Sequence, residues 1–476
     1  MIKRRDFLRG SLLAGLATTV SSTMAAADKK PNILFVFIDD MGFADLSCFG
    51  NYKIKTPNID KLASEGVKLT NFYVNSPICS PSRVAVMTGQ YPQRWGIHSY
   101  LDARKNNRRR GMKDYLSTDA PVTAQELKKS GYTTAHFGKW HIGGGRDVGD
   151  APLPQEYGFD ESLVSFEGLG DRLIYEDSNL AHRSEKLGKG KFIRTMKHKG
   201  TEHYVDRTLT FMEKVCQEGK PFYIELFPND VHDIYKPAPG EAEKWASVTK
   251  NPWEQQFFAV LKEMDRQLGR VFEKIKQLGI SENTLIVFTS DNGPSDRVSY
   301  YRSGWSPPGS TGQFFGSKWS LYEGGIRMPF IAKWEGTIPA GIINTEAVCA
   351  GIDLSPTFLK IAGAEASGAK DGQNILPALL GKDFKRKNPL CWQYGKPFAR
   401  LRPGNNNFIS PSLATRDGRW KLLIDPDGSN ARLFDLASDI KETTNKAEEN
   451  PEVVNKLKDD IRNWAKDVGI ANKISF

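Results

Sequence analysis

The stretch Asn32–Ile38, reading NILFVFI and closed by Asp39-Asp40, constrains the fold of this chain more than any other segment. An unbroken apolar run of that length suits a strand buried on both faces. A parallel sheet covered by helices on each side buries strands in that way. Pro221–Phe227 and Thr284–Thr289 read the same way. Between them, Trp253–Leu278 carries Phe257, Phe258, Leu261, Met264, Leu268, Val271, Phe272 and Ile275, mostly three and four apart. That spacing predicts an amphipathic helix, stopped by Gly279. Two buried strands joined through a long helix make a crossover unit, so the chain is expected to be α/β.

Further elements extend this core: a helix over Thr123–Lys129, strands over Thr133–Phe137 and Met328–Trp334, and a helix over Asp353–Ile361. Past Asp371 the pattern changes to short strands parted by Asp-Gly turns: Leu390–Tyr394, Ser412–Arg416, Trp420–Ile424 and Arg432–Asp435. A last helix is expected from Glu452 to Asp467. This predicts a smaller C-terminal antiparallel sheet plus helix, with residues 28–375 as one unit and 376–476 as the other. With 476 residues, 39% of them hydrophobic, the chain can bury a core for two or three domains.

The formal charge of +10 suits an acidic substrate or polyanion, and no nucleic-acid-binding motif accompanies it. Lys3-Arg4-Arg5-Asp6-Phe7-Leu8-Arg9 is a twin-arginine export pattern. It is followed by a short apolar stretch, Leu12–Val20, and an Ala-x-Ala-like site at Ala25–Ala27. Residues 1–27 are therefore read as a signal peptide, and the destination as the periplasm. No later run reaches about 18 apolar residues, so no stable membrane span is expected. The five cysteines form no CxxC pair. Twin-arginine export carries chains already folded in the reducing cytosol, so disulfides are not expected.

In open α/β sheets, ligands bind outside the carboxyl ends of the strands. Four expected strands end in polar groups: Asp39-Asp40, Gly138-Lys139-Trp140-His141, Pro228-Asn229-Asp230-Val231-His232 and Ser290-Asp291-Asn292-Gly293. Asp39, Asp40, Asp291 and Asn292 offer only oxygen, which suits Ca²⁺ or Mg²⁺ and argues against zinc. Crowded without a cation, the three carboxylates would repel one another and raise a pKa. Lys139 and His141 are two apart, so an extended chain would point both to one side. Asp230 suits a turn better than a ligand, and His136 suits the core. In Cys79-Ser80-Pro81-Ser82-Arg83, Ser80 reads as a helix N-cap and Pro81 as the first helical residue. Cys79 would then sit beside unpaired N–H groups that favour an anion, reactive by location, with Arg83 one turn on.

The segment from Cys79 to Arg83 resembles the sulfatase signature C-x-P-x-R, in which the cysteine is oxidised to Cα-formylglycine. With the strand-end motifs, the chain resembles the type I sulfatases of the alkaline phosphatase superfamily from Pro31 to about Gly363. That resemblance implies a large mixed, mostly parallel sheet between helices, and an exported bacterial carbohydrate sulfatase. Asp39, Asp40, Asp291, Asn292 and the modified Cys79 would hold calcium, with magnesium second. Arg83 would orient the aldehyde hydrate, and Lys139 and Lys318 would bind sulfate oxygens. One hydroxyl would attack sulfur with Asp291 taking its proton. His232, aided by Lys318, would protonate the leaving alcohol, and His141 would deprotonate the second hydroxyl. The implied partners are a sulfated glycan, a formylglycine-generating or sulfatase-maturing enzyme, and the Tat machinery. Two alternatives are a phosphodiester or phosphonate monoester hydrolase of the same superfamily, and a non-catalytic glycan-binding protein. The basic run Arg104–Arg110 reads as a cationic loop able to grip further sulfates. Arg172, His182 and Arg183 fall in a polar insertion suited to substrate subsites.

Overall fold

The structure, a computed structural model, describes residues 30–166, 172–176, 191–298, 306–366, 368–395, 399 and 401–476. The export segment, His182 and Arg183 lie outside the described residues, and Arg172 is described in its backbone alone. β1 (Asn32–Ile38) is the strand expected from its apolar run. It pairs in parallel with both β7 (Phe222–Phe227) and β8 (Thr284–Ser290), which places it inside the sheet. The other strands of that sheet are β2 (Val67–Tyr73), β3 (Thr133–Lys139), β4 (Glu161–Ser165), β5 (Arg172–Glu176), β6 (Lys191–Thr195), β9 (Arg327–Lys333), β10 (Ile342–Asn344) and β11 (Cys349–Ala350). The 11-stranded order is β10-β2-β9-β8-β1-β7-β3-β4-β5-β6, with β11 on β2. The sheet is mixed, since β9 runs antiparallel to β2 and β8 and the β4-β5-β6 edge is antiparallel.

Alternation along β1 explains why helices cover both faces. Ile33, Phe35 and Phe37 enter one hydrophobic cluster, and Leu34, Val36 and Ile38 enter the other. The helix Pro252–Gln277 covers the second face with Leu261, Met264, Leu268, Val271 and Ile275. Its start is set chemically: Asn251 Oδ1 accepts from Trp253 N at 2.9 Å, and proline takes the first helical position.

The C-terminal strands β12 (Leu390–Gln393), β13 (Leu413–Asp417), β14 (Trp420–Ile424) and β15 (Arg432–Asp435) form an antiparallel meander. Helix Pro451–Asp467 packs on it through Val454, Leu457, Ile461 and Trp464. This sheet shares one continuous core with the larger one, and Trp392 Nε1 donates to Val74 O at 2.7 Å. Between the two lies a fully buried ionic knot. Lys421 Nζ from β14 sits 2.8 Å from Glu323 Oε1 and 2.9 Å from Glu442 Oε1. Glu323 also accepts from the Tyr73 hydroxyl at 2.5 Å and Arg327 Nη1 at 3.1 Å. Burial, opposed by Lys421 and reinforced by Glu323, pushes the Glu442 carboxyl up to about 7.

The structure departs from expectation at three element boundaries. β3 runs on through Gly138 and Lys139, because β4 pairs with it in parallel as far as Ser165. The helix at Cys79 starts at Cys79 itself with Ile78 as N-cap, so Ser80 is no cap. Its Oγ instead accepts from Leu101 N at 3.0 Å. The basic run is a helix over Arg104–Arg109 rather than a loop, and its acidic neighbours Asp114 and Asp147 bond to Arg104. Among the described residues, no helix is long and apolar enough to cross a membrane. All five cysteines are free thiols.

Lys421 holds charge that no solvent can replace. Changing Lys421→Ala is expected to cost about 3 kcal/mol of unfolding free energy, measured by urea denaturation of the full chain. A loss under about 1 kcal/mol, the range of an exposed pair, would contradict this.

Candidate active site

Four parallel neighbours in the order β8-β1-β7-β3 bring their carboxyl ends to one edge of the sheet. Topology alone therefore gathers Asp291 and Asn292, Asp39 and Asp40, the His232 segment, and Lys139 with His141. Two further segments close the site: the helix Cys79–Thr88, which carries Cys79 and Arg83, and the loop holding Lys318. That loop is pinned by its backbone, with Lys318 N bonded to Pro294 O and Trp319 N to Pro77 O, both at 2.9 Å. Gly293 permits the close approach of the short helix Glu323–Ile326, since a Cβ there would meet Gly324 O at 2.0 Å.

The centre is a lattice of buried opposite charges. Lys139 Nζ bridges both Asp39 oxygens at 2.7 and 2.8 Å, and Lys318 Nζ bridges both Asp40 oxygens at 2.5 and 2.6 Å. Arg83 Nη2 lies 2.7 Å from Asp291 Oδ2 and 3.4 Å from Asp39 Oδ1, while its Nη1 donates to Lys139 O at 2.8 Å. Asp40 N donates to Asp291 Oδ1 at 3.0 Å, and Asn292 Nδ2 donates to Asp40 Oδ1 at 2.8 Å. His232 Nε2 stands 3.5 Å from Asp40 Oδ2, with Nδ1 bonded to Asp233 O at 2.5 Å. His141 Nε2 faces Leu101 O at 3.3 Å, and its Nδ1 has no hydrogen-bond partner among the described residues. The structure thus brings together every residue singled out as nucleophile, ligand or acid–base group.

Electrostatics follow from burial and this pairing. Burial alone would raise Asp39, yet Lys139, His232, Arg83 and Lys318 together hold it well below the usual carboxylate range. Asp40 is lowered in the same manner, against burial, by His232 and Lys318. Asp291 goes the other way, to about 7, through burial first and the Asp39 charge second. Burial pushes His232 down to about 3. It pushes His141 well below its usual value too, helped by the charges on Lys139 and Arg83. Both imidazoles are therefore neutral at pH 7.

One expectation is corrected here. Cys79 begins a helix, but the residue is only 3% exposed, and burial raises the pKa of its thiol. The unmodified sulfur is not reactive by location. The expected extended geometry from Lys139 to His141 also fails, because His141 has φ +53° and leaves the strand direction.

A divalent cation fits this donor set. Oxygens of Asp39 and Asp40 lie with Cys79 Sγ inside a 4.8 Å cluster. Asn292 Oδ1 is buried without a hydrogen-bond partner among the described residues, an acceptor with nothing to accept. Asp39, Asp40, Asp291 and Asn292 supply the oxygen-only environment that calcium or magnesium takes. The raised Asp291 is what crowded carboxylates show without such an ion.

Several supporting residues carry no motif. Lys197 Nζ donates to the carbonyls of His232 and Ile234 and fixes that turn. Asp233 brings a second carboxylate to the His232 ring, with Oδ1 3.8 Å from Nδ1. Beneath Lys139, His136 Nδ1 bonds Glu225 Oε2 at 2.7 Å while Nε2 faces Lys139 O at 3.3 Å, so His136 is a core residue as expected. Asp230 accepts from the Thr201 hydroxyl. Asp233 was visible beside His232; Lys197 had no signal, since its partners are backbone oxygens.

Comparison with known proteins bears on this geometry. The Sulfatase family model matches residues 31–364, and the model described as N-sulphoglucosamine sulphohydrolase, C-terminal, matches residues 311–467. The chain is 28% identical to the N-acetylgalactosamine-6-O-sulfatase of Bacteroides thetaiotaomicron, over 94% of this chain and 95% of that protein. It is 31% identical to the N-acetylgalactosamine-6-sulfatase of Canis lupus familiaris, over 75% and 67% respectively. Its fold is similar to that of Ps i-CgsB in complex with k-i-k-neocarrahexaose. The TM-score is 0.76 at 26% identity, over 94% of this chain and 95% of that one.

Calcium is expected to raise the melting temperature of the full chain, an effect reversed by a chelator. At a calcium concentration a hundredfold above its Kd the gain is about 2.7 kcal/mol. Asn292→Ala should abolish most of that shift. A calcium-induced shift that persists in full in Asn292→Ala would remove Asn292 from the ligand set.

Proposed function

The chain belongs to the sulfatase family and is a sulfuric ester hydrolase, and on that premise we propose that it removes sulfate from a sulfated carbohydrate with a nucleophile built from Cys79. The observation that carries this reading is the convergence of Cys79, Asp39 and Asp40 within one 4.8 Å cluster, ringed by Arg83, Lys139 and Lys318. Oxidation of Cys79 to formylglycine supplies a hydrated aldehyde whose hydroxyl attacks sulfur. A bound calcium ion supplies positive charge for the sulfate oxygens.

This chain's own residues do the rest. Lys139, Lys318 and Arg83 would offer three cationic groups to the oxygens of an ester as charge develops, and all three are buried, where such charges act most strongly. Asp291, paired with Arg83 at 2.7 Å beside Asp39 and Asp40, is the carboxylate proposed to take a proton from the attacking group. His141 is neutral and its Nδ1 is unengaged, which leaves a lone pair ready to deprotonate the second hydroxyl. His232 and Lys318 meet on the same carboxylate, Asp40. His232, aided by Lys318, is proposed to protonate the departing alcohol, since both reach that carboxylate.

The relatives' names point to galactosamine sulfates, and the Ps i-CgsB complex holds a carrageenan-type hexasaccharide. Both favour a glycan over a small aryl ester. Residues 28–375 are proposed as the catalytic unit and 376–476 as a C-terminal unit. Lys3-Arg4-Arg5 and the cleavage site near Ala27 are proposed to direct the folded enzyme to the periplasm through the Tat machinery.

Peptide mass spectrometry across Cys79 from the mature enzyme is expected to show a loss of about 18 Da, SH₂ replaced by O, as a covalent-catalysis nucleophile of this type requires. Cys79→Ala should lower sulfate release from sulfated oligosaccharides by at least about 10³-fold while the melting temperature stays unchanged. Full activity in Cys79→Ala would overturn the assignment.

A further inference from the structure

The basic run from Arg104 to Arg110 is not absorbed by the chemistry above. Its position is fixed by Leu101, whose N–H bonds Ser80 Oγ at 3.0 Å, next to Cys79, and whose carbonyl faces His141 Nε2 at 3.3 Å. The helix Arg104–Arg109 leaves the site from that point and spans about 9 Å.

Its charges divide into two kinds. Arg104 is neutralised, bonded to Asp114 Oδ2 at 2.9 Å and also paired with Asp150. Lys105, Arg108 and Arg109 are exposed and make no ion pair among the described residues. Arg110 is different again. Its side chain is 4% exposed and its guanidinium lies 4.2 Å from the Tyr100 ring centroid. Nε donates to Asn106 O at 3.1 Å and Nη2 to Asn107 Oδ1 at 3.0 Å. Its nearest carboxylate, Asp102 Oδ2, is 3.9 Å away. Asp102 is already engaged by Ala103 N and Asn106 Nδ2, both at 2.7 Å, and it also faces Arg146 at 3.8 Å. Arg110 Nη1 is buried, and the guanidinium also hydrogen-bonds the Tyr100 side chain.

Lys105, Arg108 and Arg109 face solvent, and the buried Arg110 charge beside them adds to one positive field that favours an anion. We propose that this shelf binds an anionic group of the substrate other than the sulfate being removed. The preferred ligand is then a chain carrying several sulfates or carboxylates, running along Lys105, Arg108 and Arg109 in the field that Arg110 reinforces. The proposal rests on the sulfatase reading for what the ligand is, and its test is separable from that reading.

The test is titration calorimetry on the full chain carrying Cys79→Ser. The probes are a multiply sulfated carrageenan hexasaccharide and a singly sulfated disaccharide of the same series. Adding Arg108→Ala and Arg109→Ala together, both exposed, is expected to weaken hexasaccharide binding about tenfold. It should also flatten the salt dependence of that binding. Disaccharide affinity should shift less than about twofold, the scale of a distant screened charge. Arg110→Gln, which keeps hydrogen-bonding capacity without charge, is expected to weaken the hexasaccharide as well. Equal weakening of both probes, or hexasaccharide affinity unchanged in both variants, overturns the proposal. Should the unsubstituted enzyme release no sulfate from either probe while the shelf variants still lose hexasaccharide affinity, the catalytic reading falls and the shelf stands.

Discussion

Three buried carboxylates held by three buried cations are the constraint on which the rest of this structure depends. Asp39, Asp40 and Asp291 would each be costly to bury alone, and Lys139, Lys318 and Arg83 would be equally costly without them. The six groups arrive from five separate stretches of chain, so the lattice forms only when the sheet has its final strand order. Core packing and site assembly are in this sense one event. The hydrophobic faces of β1 position the two aspartates at its end, and the charges then dictate where the Lys318 loop and the Cys79 helix must lie.

Much of this was legible in the sequence, for identifiable physical reasons. The runs at β1, β7 and β8 could be read because a strand covered on both faces tolerates almost no polar residue. The helix Pro252–Gln277 could be read because its apolar residues keep the 3.6 period across 26 residues. Convergence of the strand-end motifs needed only the rule that parallel neighbours share a carboxyl edge. Whatever depended on backbone partners or on tertiary charge was hidden. Ser80 has the composition of a cap, yet it serves Leu101 instead. The Arg104–Arg109 segment looked like a loop because its helix is stabilised by distant aspartates rather than by its own pattern. The reactivity expected of Cys79 from its place at a helix end fails for the unmodified thiol because burial, which the local sequence does not display, raises its pKa.

The two sheets are energetically one body near the site. Lys421 belongs to the C-terminal meander, but its partner Glu323 lies five residues beyond Lys318 in sequence, on the segment that also meets Gly293. The smaller sheet is therefore tied, through Lys421, to the segment that follows Lys318.

A side chain with 3% of its surface accessible, at the start of a helix wedged among charged groups, cannot be presented to a second enzyme's active centre without dismantling its surroundings. If Cys79 is the residue that becomes an aldehyde, its maturation has a deadline: the oxidising partner must act on the nascent or still-unfolded polypeptide. A molecule that closes its core too early keeps its thiol permanently and stays inert. The yield of active protein would then be set by a race between folding and modification, and slower folding would favour the active form.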